Sequence, residues 1–401
     1  MMSLNKYQVG PQTVRMLELG HPWVIADRFT RAWKGVKTGE VAALVDERGR
    51  VLATALLDPR DRIVARVLGS GSMTLDGAWL HGKVETALAL RRDHVDLAET
   101  SAWRLINGEG DGLPGLTVDC YGDHLMVQLY AAAWKPYLPM LVQALRQVVE
   151  PAGIYEKRRP QATRSLEAKS ESKKYSRLLD GEAAPGRISV QENGLTYLVD
   201  LEEGLNTGLF LDMREQRRDI MSRMTGKRFL NLFAYTGAFS VAAAAAGASR
   251  VTSVDASRPY LDWARENFSA NRLNPRRHEF IAEDCLAALK GLEGEGRRFD
   301  AILMDPPSFS TTRKSRFTTR GGTSELLAAA LPLLEDGGLL VTASNLQKMD
   351  VADYLKELRR GALQADCDLR VIGQMGQGPD FPYPVTFSEG RYLKYVLAVK
   401  A

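Results

Sequence analysis

Asp255, Asp284 and Asp305 each close a short apolar run: Val251-Thr-Ser-Val-Asp255, Phe280 to Asp284, and Ile302-Leu-Met-Asp305. A fourth run, Phe229-Leu-Asn-Leu-Phe233, enters the small-residue turn Ala234-Tyr-Thr-Gly237 and then an alanine-rich stretch beginning Ala238-Phe-Ser240. In an open α/β sheet, ligands lie beyond the carboxyl ends of the strands, where the strand order reverses, so these four ends are expected to face one crevice. Gly237 would let the backbone pass close to a ligand. Tyr235 and Phe239 would wall the pocket with Phe233 beside them, and Asn231 and Thr236 would offer polar contacts. Asp255, followed by Ala256, is placed to accept hydrogen bonds from two ribose hydroxyls, and Asp284, followed by Cys285, to take an adenine amine. A pyrophosphate would need Gly-x-Gly-x-x-Gly at the start of the helix, and this window holds one glycine. The expected ligand is therefore a nucleoside with no phosphate, S-adenosylmethionine, bound at Asn231 to Phe239, Asp255, Asp284 and Asp305 and used as methyl donor.

Asp305-Pro-Pro-Ser-Phe309 suits a flipped nucleobase. The Asp305 carboxylate and the rigid Pro306 and Pro307 carbonyls would meet its polar edge, and the Phe309 ring its face.

Three segments are expected to position these groups. Residues 1–72 alternate apolar and polar positions in short runs such as Trp23-Val-Ile25, Glu40 to Val45 and Val51 to Leu57, a small β-rich module. His21, Trp23, Arg28, Arg31 and Lys34 near its start, and Arg60, Arg62 and Arg66 near its end, could meet phosphate and base or could simply be surface. Residues 73–187 read as a small α/β bridge, with a helical pattern from Gly77 to Arg92, a strand from Leu125 to Tyr130 and an amphipathic helix from Pro136 to Val149. Residues 188–401 open on a hairpin turning at Glu192-Asn-Gly194 and continue as strand-helix alternation, the pattern of a Rossmann-like doubly wound α/β domain.

The chain has 401 residues, too many for one ordinary core, with 45% hydrophobic and 25% charged residues, the balance of a globular protein. No apolar run approaches the roughly 20 residues of a membrane span, and the start lacks a signal-peptide core, so no membrane partner and a cytoplasmic location are expected. Cys120, Cys285 and Cys367 show no Cys-x-x-Cys spacing and the five histidines form no cluster, so neither disulfides nor a bound metal are expected. Net charge is only +4, but Lys157 to Arg177 holds eight cations against Glu167 and Glu171, a local surplus that RNA or plain solvent could face.

Over nearly its full length the chain resembles the RlmI-like family of ribosomal-RNA large-subunit methyltransferases. The resemblance rests on Asp111-Gly-Leu-Pro-Gly-Leu-Thr-Val-Asp119, Leu205-Asn-Thr-Gly-Leu-Phe-Leu-Asp-Met-Arg-Glu-Gln-Arg217, Asn231 to Ser240, Asp305 to Phe309 and Glu389-Gly-Arg-Tyr-Leu-Lys394. It implies an N-terminal PUA domain for RNA, a central linking domain and a C-terminal class I methyltransferase domain acting on ribosomal RNA, 23S or its precursor. It also implies that Phe210, Asp212 and Arg214 to Arg217 border the cofactor. The oligomeric state is left open, a homodimer included.

One departure bears on chemistry. Members that make 5-methylcytosine carry a cysteine after the strand that follows Asp-Pro-Pro, whereas this chain reads Val341-Thr-Ala-Ser-Asn-Leu-Gln347, with Asn345 in that place. Cytosine C5 attacks poorly until a thiolate adds at C6. A ring nitrogen or exocyclic amine needs mainly orientation. The Asn-containing strand end also resembles guanine-N7 methyltransferase domains of the RlmK type. The favoured product is thus a nitrogen-methylated base, guanine N7 among the candidates. The alternatives are cytosine C5 methylation through another nucleophile, for which Cys285 lies nearest the crevice, and a non-catalytic RNA-binding or ribosome-assembly protein.

Overall fold

The computed structural model describes residues 4–158, 175–307, 309–311 and 316–401, with the backbone alone at 309–311 and 316–321. The chain divides into two compact units: Met1–Val190 with Asp200–Thr207 and Pro379–Gly390, and Gln191–Val199 with Gly208–Gly378 and Arg391–Ala401.

The first unit holds two five-stranded sheets. In one, the strands run in the order Lys6–Gln8, Val41–Val45, Val51–Leu57, Ile63–Ser70 and Trp23–Ile25. Val41–Val45 and Val51–Leu57 are nearly all buried, and Leu44, Ala55, Leu57 and Ala65 form the centre of a small core. The other sheet runs Ser176–Gly181, Gly153–Lys157, His124–Leu129, Leu116–Tyr121, Ala102–Asn107. The helices Gly77–His94 and Leu138–Val149 contribute Leu80, Val84, Leu141 and Leu145 to a core with Leu105, Val118, Val127 and Ile154.

A buried cation organises this unit. Arg91 is fully buried and bonds both Asp111 oxygens (2.5 and 2.8 Å) and the carbonyls of Arg104 (2.9 Å) and Asp380 (2.9 Å). Both charges of the pair have several partners, as buried ions require. Asp111 of the Asp-Gly-Leu-Pro-Gly motif therefore serves packing. Segments 200–207 and 379–390, which the sequence reading gave to the C-terminal domain, belong to the first unit. The physical reason is this network, together with Arg104 N–H donating to Asp380 Oδ2 (3.0 Å) and the Arg104 guanidinium lying 4.6 Å from the Phe381 ring centre.

The second unit is built on a seven-stranded sheet. Its strands are β1 (Arg228–Leu232), β2 (Arg250–Asp255), β3 (Glu279–Ala282), β4 (Phe299–Met304), β5 (Leu334–Ser344), β6 (Leu369–Met375) and β7 (Lys394–Lys400). The order is β3-β2-β1-β4-β5-β7-β6, with β1 to β5 parallel and β7 antiparallel to its neighbours. β1 and β4 are adjacent although two strands separate them in sequence, so the order reverses there. Leu232 pairs with both Val254 and Met304, and Met304 with Thr342, which brings Phe233, Asp255, Asp305 and Ala343 to one edge of the sheet. This is the doubly wound α/β sheet read from the strand-helix alternation. The antiparallel pair β6 and β7 was not fully read, because the exposed positions along Leu369–Met375 give no apolar run. The turn Asn193-Gly194 has positive φ at both residues (52° and 73°), as a two-residue hairpin turn demands.

Candidate active site

The loop after β1 is the most constrained backbone of the edge. Phe233 (φ 59°) and Tyr235 (φ 52°) both take the left-handed conformation, as does Gly237 (φ 77°). Two non-glycine residues in that region within one loop mark strain held by its surroundings. The holding groups are visible. Ala234 N–H donates to the Val254 carbonyl (2.9 Å), Tyr235 N–H to Asp255 Oδ2 (2.9 Å), and Asn267 Nδ2 to the Thr236 carbonyl (2.8 Å).

Several of the expected contact residues also have partners within the scaffold. Asn231 is buried and its amide donates to Ser240 Oγ (2.9 Å), which bonds Ser253 Oγ (2.8 Å), so it ties β1 to the following helix. Thr236 is buried and donates to the Gly208 carbonyl (2.5 Å). Gly237 also has a packing reason to be glycine: a Cβ there would sit 2.7 Å from the Ala264 Cβ, on helix Arg258–Ala270. Phe239 is buried under the Arg217 guanidinium (5.6 Å) and so supports the loop from beneath. Arg217 is buried too. It grips both Glu192 oxygens (2.5 and 2.6 Å) and donates to the Phe210 carbonyl (2.7 Å), leaving its fork committed to the scaffold.

That grip presents Phe210 outward. Its ring lies 5.3 Å from Tyr235, and Tyr235 meets Tyr260 edge-on at 4.5 Å. Phe210 (44%) and Tyr260 (37%) are exposed, so the three rings form an open aromatic wall beside the strained loop. Tyr260 escaped the sequence reading; its signal is an aromatic residue one turn into the helix after Asp255.

Asp255 accepts one backbone N–H on each oxygen, from Tyr235 (2.9 Å) and Ser257 (2.8 Å). Burial lifts its carboxyl above the usual carboxylate range, and these two N–H groups pull it back. Each oxygen keeps a further lone pair for an incoming hydroxyl. Ala256 beside it is exposed. Asp284 caps the helix Cys285–Gly294, accepting from Leu286 N (3.1 Å) and Ala287 N (3.4 Å). Cys285 is buried, and burial pushes its thiol far up, so it is a poor source of thiolate.

Asp305 stands just beyond β4. Burial lifts its pKa to about 7, the Asp212 carboxylate adds to the rise, and Arg217 opposes it. Asp212 in turn accepts from Tyr392 Oη (2.7 Å). Pro306 is buried and Pro307 exposed. Ser308 lies outside the described residues, as does the side chain of Phe309, whose backbone opens the strand Phe309–Thr311. Asn345 is exposed immediately after β5. The turn it occupies is pinned from β7: Lys394, buried and paired in register with Ser344, donates to the carbonyls of Leu346 and Tyr392 (both 2.6 Å). Burial and Arg391 lower the Lys394 pKa to about 8, against the pull of Asp350.

The first unit sorts its basic residues clearly. Arg66 is buried on Asp61 Oδ2 (2.7 Å) and the Ile63 carbonyl (3.1 Å). Trp23 donates to Glu109 (2.7 Å) and packs on Phe387 (4.6 Å), with His21 5.6 Å from the same ring. These three hold the fold. Of the basic stretch, Lys157 is buried, and Arg158 and Arg177 both pair with Glu156 (2.8 and 2.9 Å). The remaining cations of that stretch, within 159–174, lie outside the described residues. Arg28, Arg31, Lys34, Arg60 and Arg62 are exposed. Among the described residues no helix is long and apolar enough to cross a membrane, and no group of three or more His, Cys, Asp or Glu side chains could hold a metal ion.

Residues 103–392 match the family described as S-adenosylmethionine-dependent methyltransferase, and residues 8–70 match a PUA-like domain. Ribosomal RNA large subunit methyltransferase I of Escherichia coli is 34% identical over 93% of this chain and 94% of its own length. The protein of the same name from Yersinia pseudotuberculosis is 33% identical over the same shares. Among solved structures, SMU.776 complexed with SAH is 29% identical with a TM-score of 0.89, covering 99% of this chain and 100% of that one. A SAM-dependent methyltransferase from Streptococcus mutans is 28% identical with a TM-score of 0.87 and the same coverage. With the reversed sheet, the strained loop and the strand-end carboxylates already in place, the chain belongs to the S-adenosylmethionine-dependent methyltransferase family that includes ribosomal RNA large subunit methyltransferase I.

Proposed function

We propose that this enzyme methylates a nitrogen of a base in ribosomal RNA, 23S or its precursor, in the cytoplasm. The supporting relatives are named for the ribosomal RNA large subunit. Residues 1–72 would meet RNA, 73–187 link, and 188–401 carry catalysis. The S-adenosylmethionine edge of the sheet suits its ligand: Asp255 offers acceptors to the ribose hydroxyls, and Phe210, Tyr235 and Tyr260 wall the nucleoside. Asp284 would take the adenine amine.

The observation that carries the nitrogen reading is the absence of an available thiol. Asn345 occupies the strand end, and Cys285 is buried with its thiol held protonated. S-adenosylmethionine supplies an electrophilic methyl group. Attack by a ring nitrogen is then a matter of alignment and charge. Asp305, titrating near 7, can accept a hydrogen bond or hold a proton at the edge of the base. The Pro306 and Pro307 carbonyls and the Phe309 ring would orient the base, with guanine N7 as the candidate atom. The test is mass spectrometry of nucleosides from ribosomal RNA of cells with and without the gene. A missing nitrogen-methylated base supports the proposal; a missing 5-methylcytosine refutes it. RNA carrying 5-fluorocytosine would trap a thiol-dependent enzyme as a covalent adduct, and no adduct is expected.

A further inference from the structure

β7 enters the sheet at the same edge as the strand-end carboxylates, and its first residues bind two separate segments there. Met304 pairs with Thr342 and Thr342 with Val396, so one step further along the edge Asp305, Ala343 and Tyr395 fall in one row, with Lys394 beside Ser344 just beyond it. The Lys394 ammonium, 3% exposed, donates to the Leu346 carbonyl, in the turn that carries Asn345, and to the Tyr392 carbonyl (both 2.6 Å). The second bond fixes the backbone of Tyr392, whose hydroxyl donates to Asp212 Oδ2 (2.7 Å). Tyr392 is half-buried, as is Asp212 in the turn Leu211–Met213, directly after the aromatic Phe210. Three hydrogen bonds therefore join the Asn345 turn, the entry of β7 and the Asp212 turn into one connected path.

The path reaches Asp305 through Asp212. Among the described residues, the Asp305 carboxyl meets Asp212, Arg217 on helix Arg214–Met221, Tyr354 on helix Val351–Gln364 and Tyr395 on β7. Burial holds both phenols protonated, so the charges on Asp305 are those of Asp212 and Arg217. Arg217 is fixed on both Glu192 oxygens (2.5 and 2.6 Å). Asp212 is the adjustable member, because a hydroxyl donated to a carboxylate favours its charged form. Lys394, at the other end of the path, meets only Arg391 and Asp350 among charged groups.

We infer that Tyr392 and Lys394 are positioning residues for methyl transfer, which hold the Asp212 and Asn345 turns in one arrangement around the base and keep Asp212 charged beside Asp305. A tie serving only the strand needs no more than backbone pairing, which Lys394 already has with Ser344. The two side chains instead reach the loops beyond the strand ends, where a ligand of such a sheet lies. The inference rests on the base-methylation reading and adds to it the groups that aim and tune its acid-base carboxylate.

Steady-state methyl transfer from tritiated S-adenosylmethionine to protein-free ribosomal RNA of cells lacking the gene tests it, beside melting curves taken without RNA. Tyr392→Phe, which removes a single hydroxyl, should lower kcat about 10-fold and leave KM for S-adenosylmethionine within about twofold. The acid limb of its kcat profile should move to lower pH, because an Asp212 that takes up a proton more readily no longer repels the Asp305 charge. In an Asp212→Asn background the same substitution should cost less than about twofold and move no limb, since its effect runs through that carboxylate. Lys394→Met, of similar length but without donors, should lower kcat about 10- to 100-fold, the cost of a displaced turn. If Lys394→Met does not fold, the Tyr392→Phe cycle decides. Unchanged kcat in Tyr392→Phe, or an equal loss in both backgrounds, would overturn the inference. In the melting curves, the difference between wild type and Asp305→Asn should level off near pH 7, and the same difference in the Tyr392→Phe background at a lower pH. An unmoved melting profile would remove the tuning of Asp305 whatever the substrate, whereas a wild-type chain that methylates no ribosomal RNA would remove the functional reading.

Discussion

Asp255 and Asp305 end neighbouring regions of one sheet edge, yet their surroundings assign them different work. Asp255 is half-buried with a backbone N–H on each oxygen, and these two donors offset part of the rise that burial imposes on its carboxyl. Asp305 is half-buried beside another carboxylate, and its pKa rises to about 7. The first anchors a loop and still has lone pairs for a ligand. The second changes charge near neutrality. Environment, rather than residue type, separates a holding carboxylate from a titrating one.

Breaking the first member should have the largest effect. Asp255→Ala removes the ribose acceptor and frees the Tyr235 N–H, and S-adenosylmethionine affinity should fall on the order of 100-fold or more by calorimetry. Asp255→Asn, which keeps one acceptor, should fall between. Binding unchanged in both would sink the assignment.

Asp305→Asn should leave cofactor affinity within about threefold while slowing methyl transfer about 100-fold, the cost of losing a positioned acid-base group. Its stability should separate it further from Asp255. A carboxyl whose folded pKa is raised binds more protons folded than unfolded, so wild-type stability falls as pH rises from the ordinary carboxylate range to about 7. Asp305→Asn lacks that loss. Its melting temperature relative to wild type should therefore be higher at pH 8 than at pH 5. A constant difference across that range would show that Asp305 does not titrate there.

Gly237→Ala tests whether the loop that Asp255 anchors is as constrained as its backbone implies. The left-handed φ and the 2.7 Å approach to Ala264 together should cost about 2–4 kcal/mol in denaturant unfolding. The smallest effect is expected at Cys285→Ala. Methyl transfer should persist, with only the modest stability loss of a small buried group. Lost transfer in a folded variant would return the thiol to the mechanism.

The sheet and its ligand edge were legible because buried parallel strands are short apolar runs and their terminal carboxylates interrupt them conspicuously. The roles of individual edge residues were less so. Asn231, Thr236 and Arg217 look like polar ligands in sequence, and only distance shows that Ser240, Gly208 and Glu192 hold them. The supports of His21, Trp23 and Arg66 were hidden for the same reason: their partners, Phe387, Glu109 and Asp61, leave no local signature. Lys394 was visible only as part of a motif, since nothing in Tyr392-Leu-Lys394 announces a buried ammonium holding two carbonyls.

The bond from Arg91 to the Asp380 carbonyl spans 289 residues of chain. During synthesis the first unit emerges long before its last segment, Pro379–Gly390, so it cannot complete its own interior while the ribosome is still making the second. A nascent chain stopped before residue 379 would leave the Arg91–Asp111 centre without its Asp380 partner. The N-terminal half thus matures only at the end of translation, and a pulse-chase proteolysis experiment should find it protected at the same time as the C-terminal half.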